Sequence, residues 1–315
     1  MSLEQDIRHK ALELGFDAAG ITDASPIGRE HVEHFQAWLR SGYAGPMLYM
    51  HRNLEKRIDP AKLLDGARSV IVVALSYKPL ATATAAGWAM PTISIGDGEP
   101  VGRIAQYAQY EDYHGFIKSL LRQLADFIQR RTDGTQRFKL CVDSAPVAEK
   151  ALAVRAGLGF IGKNHLLIHP QLGPQILLGE LITTASLKPD EPGVGSCGGC
   201  DLCLRACPTG ALRGDGYLDA RECISCLTQY GLSSGMGHWL FGCDDCLLAC
   251  PHQQRAPVCG NRRFKRYPER AQQSLRELIE LTPGACESRF HGSPMGKAGV
   301  EALRRNAKAC LKNRG

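Results

Sequence analysis

The cysteines are the residues whose type and spacing most clearly indicate chemistry. The chain has 315 residues and 13 cysteines, and nine of these lie between Cys197 and Cys250. We expect a cytoplasmic protein, because the first residues contain neither an apolar segment nor a twin-arginine pair. Clustered thiols in such a chain indicate metal or redox chemistry rather than disulfides.

Two cysteine runs stand out within this block. The first has the spacing C-x2-C-x2-C-x3-C-P and consists of Cys197, Cys200, Cys203, Cys207 and Pro208. Bacterial two-cluster ferredoxins use this run, in which three thiolates hold one [4Fe-4S] cluster and the fourth holds the other. Downstream, Cys243, Cys246 and Cys250 repeat its last three positions. Leu240 occupies the place of a first cysteine, so one ligand is missing from the second run.

Counting thiolates supplies a replacement for that ligand. Two cubes need eight thiolates, the two runs provide seven, and Cys223 and Cys226 lie between the runs. One cluster is then assigned to Cys197, Cys200, Cys203 and Cys250. The other is assigned to one of the intervening pair together with Cys207, Cys243 and Cys246. Four-cysteine zinc sites are the alternative, but the doubled run favours clusters. The other thiols lack this spacing and are expected to be ordinary: Cys141, Cys259, Cys286 and Cys310.

The segment ahead of the cysteines is long enough to form an α/β domain of its own. Hydrophobic periodicity predicts helices near 3–14, 31–40, 113–131 and 147–156, and strands near 18–22, 70–73 and 138–142. Residues 165–169 and 176–184 are predicted to pair as a hairpin, and 81–99 to form a long loop. Residues 157–162 match G-x-G-x-x-G, but they follow a predicted helix and precede a strand, the reverse of a dinucleotide site.

Composition excludes several classes of protein. Hydrophobic residues make up 44% and charged residues 22%, as in folded globular proteins rather than disordered or fibrous ones. Apolar runs such as Ser69 to Tyr77 are shorter than the roughly 18 residues of a membrane span. The net charge of +6 permits a polyanionic partner. Basic side chains that could contact one are Arg262, Arg263, Lys265, Arg266, Arg304 and Arg305.

Several motifs, taken in order, resemble one known family. They are EKRIDPAKLLDGARSVI at 55–71, EDYH at 111–114, VDSAPVAEKALAVRAGLGFIGKN at 142–164, CISCLT at 223–228 and GCDDC at 242–246. Together they resemble the epoxyqueuosine reductases, a cobalamin-dependent iron-sulfur family of tRNA modification. The resemblance runs from about residue 3 to about residue 312.

The resemblance implies a fold, a division of the chain and a reaction. Residues 1–190 would form a cobalamin-binding catalytic domain of α/β (α+β) type, 191–260 a two-[4Fe-4S] ferredoxin-like domain, and 261–315 a short, basic helical segment. The enzyme would reduce the epoxide of epoxyqueuosine at the tRNA wobble position to queuosine. Electrons would pass through two clusters to cobalamin, and Asp143 of the VDSAP motif would be the general acid. An opening epoxide leaves as an alkoxide and needs such a proton donor.

The resemblance also implies the remaining site residues. Cys223 would be the eighth cluster ligand, and the cobalamin contacts would be Arg57, Asn164, His165, Ser225, Cys226 and Asp244. Three positions depart from the family: Cys226 replaces a usual aromatic residue, His165 a smaller one, and Lys150 a commoner arginine. The D-x-H-x-x-G motif of histidine-ligated cobalt is missing, so we expect cobalamin without a protein lower ligand.

Partners and rival functions follow from the same comparison. The expected substrate is the anticodon arm of tRNA, whose phosphates the basic side chains would hold. An external flavodoxin or ferredoxin system is the expected electron donor. The enzyme is expected to be a monomer that does not associate with membranes. One rival is a diverged corrinoid iron-sulfur reductase acting on another substrate, as reductive dehalogenases do. The other is a non-catalytic electron carrier or cobalamin-binding protein.

Overall fold

A computed structural model describes residues 2–79, 98–230 and 236–312 of the chain. The chain divides into two compact units, each assembled from separate stretches. The first unit is made of Met1–Lys78, His114–Asp201 and Cys250–Asn261. The second is made of Pro79–Tyr113, Leu202–Ala249 and Arg262–Gly315. The contiguous division at 190 and 260 stays a prediction.

Helices and strands are interspersed through the described residues. The helices are α1 Leu3–Leu14, α2 Arg29–Arg40, α3 Leu54–Ile58, α4 Tyr113–Arg131, α5 Glu149–Arg155, α6 Leu202–Ala206, α7 Ile224–Tyr230, α8 Asp245–Leu248, α9 Pro251–Arg255, α10 Leu275–Glu280, α11 Pro283–Phe290 and α12 Pro294–Lys312. The strands are β1 Ala18–Asp23, β2 Ser69–Ser76, β3 Val101–Ile104, β4 Phe138–Cys141, β5 Phe160–Ile161, β6 Leu167–Ile168, β7 Ile176–Thr183, β8 Trp239–Phe241 and β9 Gln272–Ser274. Short 3₁₀ turns connect several of these elements.

Local signals place the first helix as the sequence predicts. The Ser2 hydroxyl accepts a hydrogen bond from the Gln5 backbone N–H, and the Gln5 side chain accepts one from the Ser2 backbone N–H. This capping box satisfies two donors that helix geometry leaves unpaired. Gly15 ends the helix with a φ of 105°, a conformation that glycine adopts at little cost. The predicted long helix α4 is likewise confirmed, and most of the predicted loop at 81–99 lies outside the described residues.

An antiparallel sheet of four strands, in the order β1-β2-β7-β4, forms the centre of the first unit. One face packs closely on α4: a Cβ atom added at Gly179 of β7 would collide with Ile117 and touch Leu121 of that helix. The opposite face, with Val72 and Ile182, packs against α5. The sheet therefore carries α5, and the loop that precedes it, on one side of a rigid layer.

The predicted hairpin of 165–169 with 176–184 is wrong. β6 pairs with β5, with Phe160 opposite Ile168, while β7 pairs with β2 and β4. Gly159 makes the β5-β6 approach possible: its φ is 135°, and an added Cβ would lie 2.1 Å from the Ile168 carbonyl oxygen. The glycine motif therefore serves close backbone packing.

The second unit has a sheet of three strands in the order β8-β3-β9, in which β3 runs parallel to β8 and antiparallel to β9. Helices α10, α11 and α12 bury Leu278, Phe290 and Leu303 against this sheet. Buried Asn306 of α12 donates to the carbonyl oxygens of Thr228 and Leu240, at 2.7 and 3.0 Å. The predicted combination of an α/β (α+β) part and a helical C-terminal segment is thus confirmed. No helix in the described ranges combines the length and apolar character needed to cross a membrane.

Candidate active site and cluster-binding segment

Asp143 lies in the tight loop between β4 and α5. Its backbone N–H donates to Glu149 Oε1 at 2.6 Å, so the loop is tied to the first residue of α5. Its carboxyl oxygen Oδ2 lies 3.1 Å from His114 Nε2. Asp143 keeps 57% of its side chain exposed and His114 17%. The pair thus forms an accessible carboxyl group with an imidazole at hydrogen-bond distance.

Strained, left-handed backbone conformations occur at or near predicted site residues. Within the described ranges, three non-glycine residues have a left-handed φ: Asn53 at 54°, Asp143 at 52° and His165 at 59°. Two of these are predicted site residues, and Asn53 precedes α3, which carries Arg57. Such conformations cost roughly 1–3 kcal/mol each and tend to occur at functional sites. The strain agrees with a site in this part of the first unit.

Two glutamates lie behind the Asp143 loop. Burial, with the Asp143 charge as the second cause, raises the pKa of Glu149 to about 7. Glu180 on β7 is 0% exposed, and burial raises its pKa well above the usual value, with the Glu149 charge adding to the effect. Neither Glu180 carboxyl oxygen has a hydrogen-bond partner among the residues that the structure describes. Burial therefore favours the protonated, neutral form of Glu180.

Replacing Glu180 with leucine is expected to stabilise the protein. An acid with a raised folded pKa contributes stability below its unfolded pKa, about 4.5, and that contribution is lost as the pH rises toward the folded pKa. Leucine does not titrate, so the variant avoids this pH-dependent loss of stability. It also avoids the free-energy cost of burying a carboxyl group that has no hydrogen-bond partner. We expect Glu180→Leu to gain about 1–3 kcal/mol at pH 8 and less at pH 5. Thermal unfolding of the cluster-loaded protein at both pH values measures it.

Exposed Glu30 of α2 provides the control for that prediction, because Glu30→Leu removes a surface carboxyl group and should not reproduce the gain at pH 8. A Glu180→Leu protein that is less stable than the wild type at pH 8 would show that the carboxyl has a stabilising partner.

Arg57 and Asn164 offer donors without acceptors. Arg57 Nε and Asn164 Nδ2 are buried and have no hydrogen-bond partner within the described ranges. An unpaired buried donor costs about 1–3 kcal/mol. Next to Asn164, the His165 carbonyl oxygen accepts a hydrogen bond from Lys150 Nζ at 2.6 Å. The His165 ring stacks on the His34 ring, with 6.4 Å between the ring centroids. The two nitrogens are suited to an acceptor that the chain does not supply.

The other predicted cofactor contacts belong to the second unit. Ser225 and Cys226 lie in α7, and burial raises the pKa of the Cys226 thiol to about 11. Asp244 is 3% exposed, and its Oδ2 accepts the Gln106 backbone N–H at 2.6 Å. Burial raises the pKa of Asp244 to about 7. Cys226 is thus a neutral thiol, and Asp244 a buried acid that titrates near neutrality.

Lys163 holds the start of the first cysteine run. Its Nζ donates to the carbonyl oxygens of Gly198 and Cys200, at 2.8 and 2.9 Å. Its backbone N–H donates to Cys197 Sγ at 3.4 Å, a type of contact that tunes cluster potentials. Burial raises the pKa of the Cys250 thiol, and the charges of Cys197 and Cys200 contribute. Cys250 therefore lies near the first two thiols of the run, as the crossed assignment requires.

The thiols of the second unit separate Cys223 from Cys226. Burial raises the pKa of Cys246, and the charges of Cys223 and Cys207 add to it. Burial also raises the pKa of Cys223, again with a contribution from Cys207. Cys223 is the one thiol whose charge contributes to the raised pKa of Cys226. Cys223 thus shares a neighbourhood with Cys207 and Cys246, which favours it as the eighth ligand.

The expectation that the remaining thiols are ordinary residues stays a prediction. Cys141, Cys286 and Cys310 are buried, and Cys259 is half-buried. Across the described residues, no three His, Cys, Asp or Glu side chains stand close enough together to hold a single metal ion.

Sequence reasoning missed three residues around Asp143. His114 was visible within the EDYH motif, and Glu149 within VDSAPVAEK, but neither motif shows that its acid or imidazole contacts Asp143. Glu180 is the single ionisable residue in a largely apolar strand, Ile176–Thr183. That interruption of a buried strand was the available signal.

Known proteins resemble the chain along nearly its whole length. Residues 57–144 match the family described as "Epoxyqueuosine reductase QueG, DUF1730", and residues 196–253 match the "4Fe-4S double cluster binding domain". The epoxyqueuosine reductase of Pseudomonas aeruginosa is 39% identical, over 99% of this chain and 85% of that protein.

Solved structures agree with the sequence matches. A crystal structure of epoxyqueuosine reductase with a tRNA-Tyr epoxyqueuosine-modified stem loop is 29% identical with a TM-score of 0.87, covering 99% of this chain and 81% of that one. The Bacillus subtilis epoxyqueuosine reductase, solved with an aspartate catalytic loop swung out of the active site, is 28% identical with a TM-score of 0.87 and the same coverage. With the identity to the Pseudomonas protein, these matches show that the chain is an oxidoreductase that belongs to the epoxyqueuosine reductase family.

Proposed function

We propose that the protein reduces the epoxide of epoxyqueuosine at the wobble position of tRNA, giving queuosine. The observation that carries this proposal is the 39% identity to an epoxyqueuosine reductase across 99% of the chain. A related enzyme with an epoxyqueuosine-modified stem loop supports the substrate. Removal of the epoxide oxygen as water consumes two electrons and two protons.

The donor sets fit the cofactors of such a reduction. Seven cysteines have the spacing of two [4Fe-4S] clusters, and Cys223 would complete the second set as the eighth. The unpaired nitrogens of Arg57 and Asn164 suit the amide oxygens and phosphate of cobalamin. The other cobalamin contacts would be His165, Ser225, Cys226 and Asp244. When bound, the clusters supply single electrons and cobalamin a cobalt centre for the reduction; an external flavodoxin or ferredoxin system would be the electron source.

Asp143 supplies the proton that the opening epoxide needs. Its exposed carboxyl group can meet a substrate oxygen, and a general acid of this kind contributes typically 10²–10⁴-fold to a rate. His114 Nε2, at 3.1 Å, can hold a proton with Asp143 and return one after transfer. The left-handed loop fixes where this proton is delivered.

The direct test is turnover of the natural substrate. The protein, purified without oxygen and loaded with clusters and cobalamin, is given reductant and epoxyqueuosine-containing tRNA, and the released nucleosides are measured by mass spectrometry. Conversion of epoxyqueuosine to a nucleoside with one oxygen fewer is the expected result. Intact epoxide with both cofactors bound would contradict the proposal and favour a diverged reductase.

Basic side chains of the second unit are expected to hold tRNA phosphates. Of the proposed set, Arg262, Arg263 and Lys265 are exposed, whereas Arg304 and Arg305 are half-buried. We expect the double variant Arg262→Ala/Arg263→Ala to bind tRNA more weakly. The slope of log affinity against log salt should fall by roughly 1.4 to 1.8, because each phosphate contact contributes about 0.7 to 0.9. Filter binding across a salt series measures this slope.

A matched control lies in the same unit. Arg276 is 72% exposed and lies 3.8 Å from Glu99, so Arg276→Ala removes a surface charge outside the proposed set. An equal change in slope for Arg276→Ala and for the double variant would show a general charge effect rather than specific phosphate contacts.

A further inference from the structure

The backbone of Asp143 depends on the carboxyl group of Glu149. The hydrogen bond from the Asp143 N–H to Glu149 Oε1 is 2.6 Å long and spans six residues of chain. Asp143 has a φ of 52°, which an aspartate adopts only when its surroundings stabilise it. The mechanism proposed above uses Asp143 and His114 but assigns no role to Glu149.

Glu180 places a second acid behind the first. It lies on β7 opposite Val72 and Cys141, on the sheet face that packs against α5. It is fully buried, and neither of its oxygens has a partner among the described residues. Because Glu149 and Glu180 interact electrostatically, two charges cannot form here together without a large cost.

Groups from several elements face Glu149. The basic ones are Arg57 of α3, His114 of α4 and Lys150 of α5. The acids are Asp143 of the loop and Glu180 of β7, and the Cys141 thiol of β4 is also close. Basic side chains therefore face Glu149, although burial lowers the pKa of Lys150, whereas the buried Glu180 has its electrostatic contacts with acids. Of the two glutamates, Glu149 is therefore the better place for a negative charge.

We propose that Glu149 is a positioning residue, whose ionised carboxylate holds the Asp143 N–H and so aims the Asp143 carboxyl group, while Glu180 behind it remains neutral. This inference rests on the proposed function for the role of Asp143, but the hydrogen bond and its dependence on charge can be tested without turnover.

The charge of Glu149 decides how tightly the loop is held. A hydrogen bond to a carboxylate is about twice as strong as one to a neutral carboxyl. Since burial raises the pKa of Glu149 to about 7, the group ionises across the neutral range. The hold on Asp143 is thus strong above that pH and weakens as the pH falls through it.

Amide hydrogen exchange of the loaded holoenzyme tests the hydrogen bond directly. After correction for the intrinsic exchange rate, peptides that contain Asp143 should be roughly fivefold better protected at pH 8 than at pH 6 in the wild type. Glu149→Gln should remove this pH dependence, because an amide accepts the bond without titrating. Glu180→Gln should retain it, because an uncharged Glu180 leaves the titration to Glu149.

A second variant covers a failure of Glu149→Gln to fold. Glu149→Asp keeps the charge but is one carbon shorter, so protection should be lost at both pH values. Loss of the pH dependence in Glu180→Gln but not in Glu149→Gln would place the charge on Glu180 and overturn the proposal. So would protection that does not change with pH in the wild type.

Kinetics then connect the hydrogen bond to the reaction. The wild-type pH profile of kcat should contain a rising limb with a midpoint near 7, and Glu149→Gln should lack this limb with KM unchanged. Exposed Glu13→Gln is the control and should follow the wild type. An unchanged pH profile in Glu149→Gln overturns the positioning role while leaving the proposed function intact. An inactive wild type with the expected exchange pattern contradicts the proposed function alone.

Discussion

Asp143→Asn is expected to lower kcat for epoxide reduction by about 10²–10⁴-fold with little change in KM. Asparagine keeps the volume of the side chain and can still hydrogen-bond His114, but it has no acidic proton to deliver to the leaving oxygen. The substrate contacts elsewhere remain, so binding should survive. Nucleoside mass spectrometry over a time course, with tRNA affinity measured in parallel, separates the two effects.

The control for Asp143→Asn comes from a helix of the same unit. Asp126 is an exposed residue of α4, so Asp126→Asn makes the same chemical change away from the loop and should retain full activity. A turnover of Asp143→Asn within tenfold of the wild type would mean that another group delivers the proton. His114, at 3.1 Å from the carboxyl oxygen, would then be the next residue to replace.

Cys223→Ala is expected to remove one of the two clusters. Its thiol shares a neighbourhood with Cys207 and Cys246, and a cube with three thiolates is readily lost. Iron content should fall from about eight to about four atoms per chain, since each cluster contains four. Activity should be lost with the cluster. Iron analysis after anaerobic reconstitution, together with electron paramagnetic resonance of the reduced protein, measures both clusters.

Cys226→Ala is the matched variant, because it removes a buried thiol three residues away in the same segment. It should keep about eight iron atoms per chain. A loss of four iron atoms in Cys226→Ala but not in Cys223→Ala would reverse the assignment of the eighth ligand. The thiol count of the two runs would stand, since seven of the eight ligands do not depend on this choice.

The cluster ligands could be predicted from sequence because their chemistry is local. Three thiols separated by two residues, as at Cys197, Cys200 and Cys203, can reach one cube from a single short loop. The double-cluster family match over 196–253 confirms the prediction that this segment binds iron-sulfur clusters. The assignment of individual thiols to each cluster still awaits the iron measurements.

Helices with strong periodicity were equally accessible. The predicted helix at 113–131 matches α4, because apolar side chains at helical spacing specify one buried face. The pairing of the short strands could not be predicted from the sequence. β7 pairs with β2 on one edge and with β4 on the other, so neither edge is available to β6. β6 pairs instead with Phe160 and Ile161 of β5. Competition between strands for an edge is a property of the whole sheet.

The surroundings of Asp143 were decided by tertiary structure alone. The motif singled out Asp143, but His114 is 29 positions away along the chain, and Glu180 reaches the same region from a different strand. A carboxyl group acquires its proton affinity from burial and from neighbouring charges, and both are set by elements distant in sequence. The sequence by itself therefore determined which groups could act, whereas packing around the sheet determined how they are held and charged.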